Sequence, residues 1–447
     1  MANWDVTGGA GGSLEFEATL GAYHTKPIAI DTNHFLSVWS GTGADGFAGI
    51  FTVNTTNWTI STASTPLEFD TQNLSYPTTT LIDATHAVVF WTDSATDGRC
   101  QTLAINGSTW VITTAASVLE YDTELSSFAA TVKIDTNHLL TFWSDSSSDG
   151  RCQTFTVNTT TWSITTSAAA LEFNTSFGSS FIPIVMDANH VFCSFSADSG
   201  PGVAQVFTIN TTTWAVTTTI SNFTHDTSTA FNSEYYNGSG YKIDTTHAVI
   251  FYYGGDQDGF AQVFTINTTT WAVATASDRL EFDTQYHGIT LNQAVAQIDT
   301  NHFLHAWPGP DTGAGSAYDG FVQVFEVNTT TWAITTSAAS FEFNTTQGKY
   351  PAISEIIAGT SGATTKFFLT YSGDADDGYA TTLNVEVPSG ATNYKTQINI
   401  GDVWKTVTGM QINIGDVWKT VTHAQINIGD VWKTIFSLVL GLTFWKK

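Results

Sequence analysis

The stretch "NWDVTGGAGGSLEFEAT" at residues 3–19 decides the fold of this chain. The same phrase returns as "NWTISTASTPLEFDTQ" at 57–72 and as "TWAITTSAASFEFNTT" at 331–346, and each later copy is the second half of a longer unit. The sequence is therefore an internal repeat, and residues 3–19 correspond to the closing half of one repeat.

The complete unit has the form "IDTNHFLxxWSxxxxDGFxQxFTVNTTTWxITTxxxxLEFDT". Its histidine recurs six times, at a spacing of 52, 52, 52, 57 and 55 residues: His34, His86, His138, His190, His247 and His302. A tryptophan keeps nearly the same step: Trp58, Trp110, Trp162, Trp214, Trp271 and Trp332. Self-similarity at a period of roughly 40 to 50 residues is typical of stacked supersecondary units, among them four-stranded propeller blades.

Each unit predicts four β-strands. The third copy reads "SFAATVKI", "HLLTFWS", "GRCQTFTVN" and "WSITTSAAALEF", all rich in β-branched and aromatic residues and separated by polar turns. We name these strands A to D. No window shows an apolar period of 3.6 residues between capping residues, so we expect almost no helix.

Six complete units are followed by a seventh that has only three strands, "YPAISEII", "KFFLTYS" and "GYATTLNVEV". The missing strand is the phrase at residues 3–19, and pairing it with the seventh unit removes an exposed sheet edge. The sequence thus resembles the seven-bladed β-propeller superfamily over residues 3–388, without the sequence motifs of a particular functional family. The resemblance implies an all-β, seven-bladed β-propeller that the N-terminal strand closes.

A different repeat follows the propeller. "QINIGDVWKTVTGM", "QINIGDVWKTVTHA" and "QINIGDVWKTIFSL" recur every 14 residues, and each predicts a two-stranded hairpin. We therefore divide the chain into a propeller, residues 1–390, and a hairpin segment, residues 391–447. These repeats resemble those that end tailed-phage fibre and other virion-associated proteins, which implies self-association or particle attachment through residues 397–445.

Charge limits the partners. Before residue 389 there are eight Lys and Arg against 37 Asp and Glu, a net charge near −29, whereas the tail is near +3. Such an acidic propeller argues against binding to a nucleic acid backbone. "IFSLVLGLTFW", with 11 residues, is too short to span a bilayer, and no secretory signal precedes "MANWDVTGG". We expect no membrane insertion, and a virion or extracellular location.

Several repeated residues have a structural interpretation. The Asp of "Asp-x-x-His" is expected to cap the A-to-B turn while the imidazole donates to the backbone of a neighbouring blade. The five "NTTTW" sequons are interpreted as turns, and the three cysteines as buried thiols: Asn54, Asn158, Asn210, Asn267, Asn328, Cys100, Cys152 and Cys193.

The repeats diverge in the B-to-C and D-to-A connections, which share one face of a propeller, and divergent loops on a rigid scaffold usually carry binding. The long insertions at 224–241, 283–297 and 308–320 place aromatic residues on that face. Aromatic planes beside polar groups suit sugar rings, although packing within the loops is an equal alternative. The predicted ligand-binding residues are Tyr235, Tyr236, Tyr241, Tyr286, His287, Trp307 and Tyr318.

Metal binding is a further possibility at "SGDADDG", residues 372–378, which partly imitates an oxygen-rich Ca²⁺ loop but lacks its bidentate Glu. The predicted ligands are Asp374, Asp376 and Asp377. The D strands also end in an acid or its amide, interpreted mostly as turn caps: Glu17, Asp70, Asp122, Asn174, Asp226, Asp283 and Asn344. We predict no other cofactor.

Two function classes remain. In the first, the propeller is a non-enzymatic module that binds a glycan or protein receptor through its variable loops. In the second, it is a glycoside hydrolase or lyase with a carboxylate pair about 5 to 10 Å apart at the mouth of the central channel. The first is favoured, because no acid–base pair is confined to one blade, and the residues that line the channel distinguish the two.

Overall fold

A computed structural model describes residues 4–18, 27–197, 200–218, 221–227, 238–254, 258–284, 293–310, 318–356 and 364–388. In the tail it describes the backbone of six strands between residues 396 and 437. The chain divides into two compact units, Ala2–Glu386 and Val387–Lys447, the latter together with Met1.

The first unit is a seven-bladed β-propeller, as the repeat predicts. Each of its seven sheets is antiparallel with strands in the order A-B-C-D. The A strands are Ile28–Ala29, Ser75–Asp83, Ser127–Lys133, Gly178–Val185, Ser239–Lys242, Ala294–Gln297 and Lys349–Glu355. The B strands are His34–Ser40, His86–Thr92, His138–Ser144, His190–Ala197, His247–Tyr253, His302–Pro310 and Thr364–Ser372. The C strands are Gly46–Val53, Gly98–Ile105, Gly150–Val157, Gly202–Ile209, Gly259–Ile266, Tyr318–Val327 and Gly378–Glu386.

The D strand differs from the expectation, because in every blade it is broken into two short pieces that both pair with strand C. The first pieces are Val6–Gly8, Ile60–Thr62, Ile112–Thr114, Ile164–Thr166, Val216–Thr218, Val273–Thr275 and Ile334–Thr336. The second pieces are Leu14–Glu17, Leu67–Asp70, Leu119–Asp122, Leu171–Asn174, Phe223–Asp226, Leu280–Asp283 and Phe341–Asn344. Between the two pieces, a short run of mostly small residues does not pair with strand C. In blade 1 this run contacts the next blade, where Ser64 Oγ donates to the Trp110 carbonyl at 2.7 Å.

The B strands form the core because each blade packs against a neighbour on both faces of its sheet. In blade 3 every residue of the B strand after His138 is buried. The outer strand is different, and Glu172 in "LEFN" is exposed. Burial of both faces explains why the B strands are continuously apolar rather than alternating.

The N-terminal residues complete the seventh blade. Val6 pairs with Val385 and Leu14 pairs with Ala380 on the C strand of that blade. Phe16 then contacts Trp39 of blade 1 edge to face, with ring centroids 5.0 Å apart. The pairing that the half-repeat predicts is confirmed.

In the tail, three hairpins are paired through Ile400 with Val403, Ile414 with Val417, and Ile428 with Val431. Their strands are Thr396–Ile400, Val403–Val407, Gln411–Ile414, Val417–Thr420, His423–Ile428 and Val431–Ser437. Among the described residues the helical elements are two single 3-10 turns, Thr42–Ala44 and Asp374–Asp376. A search of the same residues finds no helix that could cross a membrane.

Candidate functional site

The propeller has two different faces, because successive strands of a blade run in opposite directions. We call the face that carries the A-to-B and C-to-D turns the repeat face, and the face that carries the B-to-C and D-to-A connections the variable face.

On the repeat face, the "Asp-x-x-His" turn is closed by its own side chains. In blade 3 the Asp135 carboxylate accepts the backbone N–H groups of Asn137 and His138 at 2.9 and 2.8 Å. The Nδ1 atom of His138 lies 2.9 Å from both oxygens of the same carboxylate. The predicted capping role of the aspartate is confirmed.

The imidazole ring does not donate to a neighbouring backbone as expected, but stacks on the tryptophan of the next blade. His138 lies on Trp214 with ring centroids 3.4 Å apart. Six such pairs run around the ring: His34–Trp110, His86–Trp162, His138–Trp214, His190–Trp271, His247–Trp332 and His302–Trp4. These histidines therefore join adjacent blades.

The seventh junction uses a lysine. Blade 7 has Lys366 where the other blades have histidine, and its Nζ atom lies 4.0 Å from the centroid of the Trp58 ring in blade 1. A cation over an indole face is attracted by the ring quadrupole. On the repeat face, each of the seven junctions between adjacent blades therefore contains one stacked or cation–π pair.

The "NTTTW" turns are also closed internally. Asn158 Oδ1 accepts the backbone N–H groups of Thr160 and Thr161, and the Trp162 N–H donates to the Asn158 carbonyl. Trp162 has φ of 61°, and the tryptophan of every other C-to-D turn also has positive φ. The interpretation of these sequons as turn chemistry is confirmed.

The A strands line the centre of the propeller, where they enclose a cavity of about 240 Å³. Its described lining comes from the beginning of the A strands of blades 2 to 7, near the variable face, and carries no charged side chain. The lining residues include Pro77, Thr79, Ala129, Phe181, Ser239, Gln293, Val295 and Pro351. Thr79 and Ser239 of this lining are half-exposed residues, although their hydroxyl oxygens are buried.

Gln293 is the most polar residue of this lining. It is 5% exposed, and its Oε1 atom lies 2.9 Å from His305 Nε2. Its Nε2 atom is buried and has no hydrogen-bond partner among the residues that the structure describes. A buried N–H donor without a partner is uncommon in native proteins and asks for an explanation.

The strained positions of the A strands lie next to the cavity. One residue before the lining begins, Tyr76, Phe128, Ser180 and Tyr350 have φ between 49° and 58°, and the ladder to strand B is bulged there. Tyr76 and Phe128 contact each other with ring centroids 4.9 Å apart. Positive φ at an aromatic residue costs energy and is often found at functional sites. Sequence reasoning missed these residues, although aligned "SYP", "SFA" and "KYP" could have indicated them.

The predicted ligand-binding residues separate into three groups. Tyr235, Tyr236, Tyr286 and His287 lie outside the described residues. Tyr318 begins the C strand of blade 6 on the variable face, where it is half-buried. Tyr241 lies within an A strand and packs into the core between blades 5 and 6, with its ring 6.0 Å from that of Phe303.

Trp307 does not fit the prediction. It is 2% exposed, and its Nε1 donates to Asp283 Oδ2 of the preceding blade at 3.1 Å. Trp39, Trp91 and Trp143 occupy the same repeat position and are equally buried, so comparison of the repeats predicts this burial. With both ring faces packed, Trp307 has no surface for a sugar.

The acidic ends of the D strands have a second role beyond the predicted caps. Asp122 Oδ1 accepts the Glu124 N–H, as a turn cap does, while Asp122 Oδ2 accepts Trp143 Nε1 of the next blade at 2.6 Å. Asp70 and Trp91 form the same pair. These side chains join blades, and their oxygens are already engaged.

In the loop that is predicted to bind Ca²⁺, Asp374–Asp376 form a single 3-10 turn. Asp376 Oδ1 pairs with Lys349 Nζ at 2.9 Å and accepts a hydrogen bond from Gln347. Asp374, Asp376 and Asp377 are not among the acidic groups that converge within the described part of the chain. Lys349 thus pairs with one of the three predicted ligands, and Ca²⁺ binding stays a prediction.

One acidic cluster does converge on the variable face of blade 3, where oxygens of Asp145, Asp149 and Glu172 lie within 4.8 Å of one another. Arg151 forms ion pairs with Asp145 and with Glu172. Burial raises the pKa of Asp145, but hydrogen bonds from Arg151 and two backbone N–H groups outweigh it and hold that pKa below its ordinary value. The cluster is therefore an ion-pair network.

A serine and a histidine also meet inside blade 4, where Ser194 Oγ lies 3.0 Å from His225 Nε2. Ser194 has no exposed surface, and burial lowers the pKa of His225 to about 3. His225 packs edge to face on Tyr252 and Phe264. This neutral pair belongs to the core and offers no nucleophile to a substrate.

The three cysteines are free and buried, as predicted. Cys152 and Cys193 belong to one core cluster between blades 3 and 4. Burial raises the pKa of all three thiols.

Comparisons with known proteins bear on the fold. No family model and no curated protein matches the sequence. A putative 6-phosphogluconolactonase from Bacteroides fragilis is similar in structure, with a TM-score of 0.53 and 13% identity over 72% of this chain and 85% of that one. A second putative 6-phosphogluconolactonase, from Bacteroides uniformis, has a TM-score of 0.49 and 12% identity over 70% of this chain and 83% of the other.

The protein Sqt1 from Chaetomium thermophilum, solved with the N-terminus of a ribosomal protein, has a TM-score of 0.47 and 9% identity. The structural alignment covers 82% of this chain and 96% of the Sqt1 chain. At such identities the similarity to the first of these structures shows a shared fold alone.

Proposed function

We propose that this protein is a non-enzymatic recognition module that binds a glycan through the variable face, around the mouth of the central cavity. The observation that carries the proposal is the structural difference between the repeat face and the variable face. Each of the seven junctions on the repeat face is occupied by a stacked or cation–π pair. The cavity and the divergent loops lie toward the variable face, where a ligand has room.

The chemistry of the cavity supports a neutral, hydroxyl-rich ligand. Its described lining combines apolar surfaces, such as Pro77 and Pro351, with the hydroxyls of Thr79 and Ser239 and the amide of Gln293. Sugars present C–H faces to apolar walls and hydroxyls to planar polar groups. A protein receptor is the alternative partner for the same face.

A hydrolase or lyase would need two carboxylates about 5 to 10 Å apart where the substrate is cleaved. None of the residues that line the described cavity carries a carboxylate. Because a hydrolase or lyase is expected to have a carboxylate pair at the mouth of the channel, this lining favours binding over cleavage.

We place this activity on a virion or in the extracellular space, with the hairpin segment as the means of attachment or self-association. This part of the proposal rests on the resemblance of the three 14-residue repeats to those of phage fibre proteins. The three separate hairpins of the tail are compatible with it.

A glycan array probed with the full-length protein tests the proposal. We expect retention of a restricted set of neutral glycans, lost in the double variant Tyr235→Ala/Tyr236→Ala and kept in His138→Ala, whose change lies on the repeat face. Mass spectrometry of the bound glycans should show them intact. An array without any retained glycan contradicts glycan recognition, and cleavage products would indicate the enzyme instead.

A further inference from the structure

Blade 6 departs from the repeat at two positions that contact each other beside the cavity. At the position of Gln293 five other blades have small or apolar residues, namely Pro77, Ala129, Phe181, Gly238 and Pro351, and the equivalent position of blade 1 lies outside the described residues. At the position of His305 they have Ser37, Val89, Thr141, Cys193, Ile250 and Leu369. A polar pair confined to one blade is not required by the packing that the blades share.

The pair fixes the direction of the Gln293 amide. His305 has no exposed surface and lies between Phe251 and Trp307, with ring centroids 4.3 and 5.3 Å away and planes inclined by 17° and 12°. This stacking holds the imidazole, and its Nε2 lies 2.9 Å from Gln293 Oε1. With the amide oxygen accepting from His305, the amide nitrogen remains as a buried donor of a residue that lines the cavity.

Within the described part of the chain, that donor has no hydrogen-bond partner. The hydroxyls of two other lining residues, Thr79 Oγ1 and Ser239 Oγ, are likewise buried and without a partner. Each hydroxyl donates one hydrogen bond and accepts others, whereas the amide nitrogen only donates. Three unsatisfied polar atoms on blades 2, 5 and 6 around one cavity indicate a ligand that carries several oxygens.

Size and charge narrow the ligand further. A cavity of about 240 Å³ is smaller than the roughly 300–1,000 Å³ of sites for drug-sized molecules. The described lining carries no charged side chain that could pair with an acidic or basic ligand. The apolar walls of Pro77, Pro351 and Phe181 suit the C–H faces of a ring.

We infer that the central cavity binds one neutral pyranose unit, with Gln293 Nε2 donating to a ring hydroxyl oxygen and His305 acting as the positioning residue for that amide. The inference rests on the proposed function, because the pyranose would be the terminal unit of the bound glycan. It adds to that function the sugar unit that is bound, a neutral pyranose, and the residue that recognises it, Gln293.

The test uses the full-length protein and isothermal titration with the methyl glycosides of glucose, galactose and mannose, and with methyl glucuronide as the acidic counterpart. We expect binding of at least one neutral glycoside and none of the glucuronide. Gln293→Met, which keeps the side-chain length and removes the amide, should weaken the affinity about fivefold to tenfold. The matched control is Gln262→Met, since Gln262 is also buried but donates to the Ser277 carbonyl at 2.6 Å away from the cavity.

Deoxy analogues of the bound glycoside identify the hydrogen bond itself. One deoxy analogue should bind wild-type protein more weakly than its parent, and both should bind Gln293→Met equally. His305→Phe should reduce the discrimination between this pair of ligands while its thermal unfolding stays cooperative. A role of His305 in packing alone would change the melting temperature and leave the discrimination unchanged, which would overturn the positioning role.

Two results overturn the inference. Array glycans that bind wild type and Gln293→Met with the same Kd show that recognition lies elsewhere on the variable face, so that the proposed function survives. Tighter binding of the glucuronide than of every neutral glycoside refutes a neutral pyranose site. Should Gln293→Met fail to fold, Gln293→Glu replaces it, because a carboxylate of the same shape cannot donate and should also weaken binding.

Discussion

The imidazole of His138 lies against the indole of Trp214, 76 residues further along the chain and in the next blade, with ring centroids 3.4 Å apart and planes inclined by 15°. The Nδ1 atom of the same imidazole lies 2.9 Å from Oδ1 of Asp135 in its own turn. One histidine therefore connects a local turn to the packing between blades, and this contact recurs around the ring.

We expect His138→Ala to destabilise the propeller by about 1–2 kcal/mol, because it removes an aromatic stack and a hydrogen bond to Asp135. Ligand binding should not change, since the residue lies on the repeat face. Thermal unfolding and the glycan array measure the two effects. Thr136→Ala, an exposed change in the same turn, is the control. If His138→Ala lost ligand binding and kept its full stability, the ligand would bind on the repeat face and not on the variable face.

Closure of the ring predicts a large effect from the N-terminal strand. Trp4 is 8% exposed and stacks on His302, so Trp4→Ala should cost about 3–5 kcal/mol. Deletion of residues 1–18 should also expose the edge of the seventh blade and cause aggregation. Calorimetry and size-exclusion chromatography measure these effects, with Thr7→Ala as the exposed control. A truncated protein that stays monodisperse at the wild-type melting temperature would refute closure by this strand.

The turn carboxylates predict a loss of stability in acid. Burial raises the pKa of Asp135, but hydrogen bonds from Asn137 and His138 outweigh burial and leave that pKa below its ordinary value. The pKa is lowered for the same reasons in four equivalent turns: Asp31, Asp83, Asp244 and Asp299. A folded-state pKa below the unfolded one stabilises the native state above about pH 4, and this contribution is lost as the pH falls through the folded pKa.

Urea unfolding at pH 7, 5 and 3 measures this contribution. The free energy of unfolding should fall between pH 5 and 3, and less so in Asp135→Asn, whose amide does not titrate. Asp70 acts in the opposite direction, because burial raises its pKa, so Asp70→Asn should steepen the same fall. Equal free energies of unfolding at pH 3 and pH 7 would contradict the role of the turn carboxylates.

The buried thiols predict chemical inertness. Because thiolate is the reactive form and burial raises the pKa of Cys100, Cys152 and Cys193, a thiol reagent should label none of them in the native protein at pH 8. In denaturant all three should react. Rapid labelling of the folded protein would show that the blades open far more readily than their packing implies.

The hairpin segment predicts association. A two-stranded hairpin is marginal in water, so three of them should be stabilised by contact with one another or with further chains. We expect the full-length chain to be oligomeric and the fragment 1–390 to be a monomer. Light scattering on both decides the matter, and a monomeric full-length protein would remove the main support for particle attachment.

Sequence alone was sufficient for the number of blades, the order of their strands and the pairing of residues 3–19 with the seventh blade. These features depend on alternation and turn chemistry within some 50 residues, and the repeat presents that information six times. The burial of Trp307 was equally accessible, since its repeat position is that of Trp39, Trp91 and Trp143.

Tertiary structure alone decided which residues meet between blades. Neither the stack of His138 on Trp214 nor the contact of Lys366 with Trp58 at the last junction follows from a pattern along the chain, because both depend on how one twisted sheet packs on the next. The Gln293–His305 pair is of the same kind. Its importance lies in a donor left without a partner, and only the three-dimensional surroundings of an atom determine whether its hydrogen bond is made.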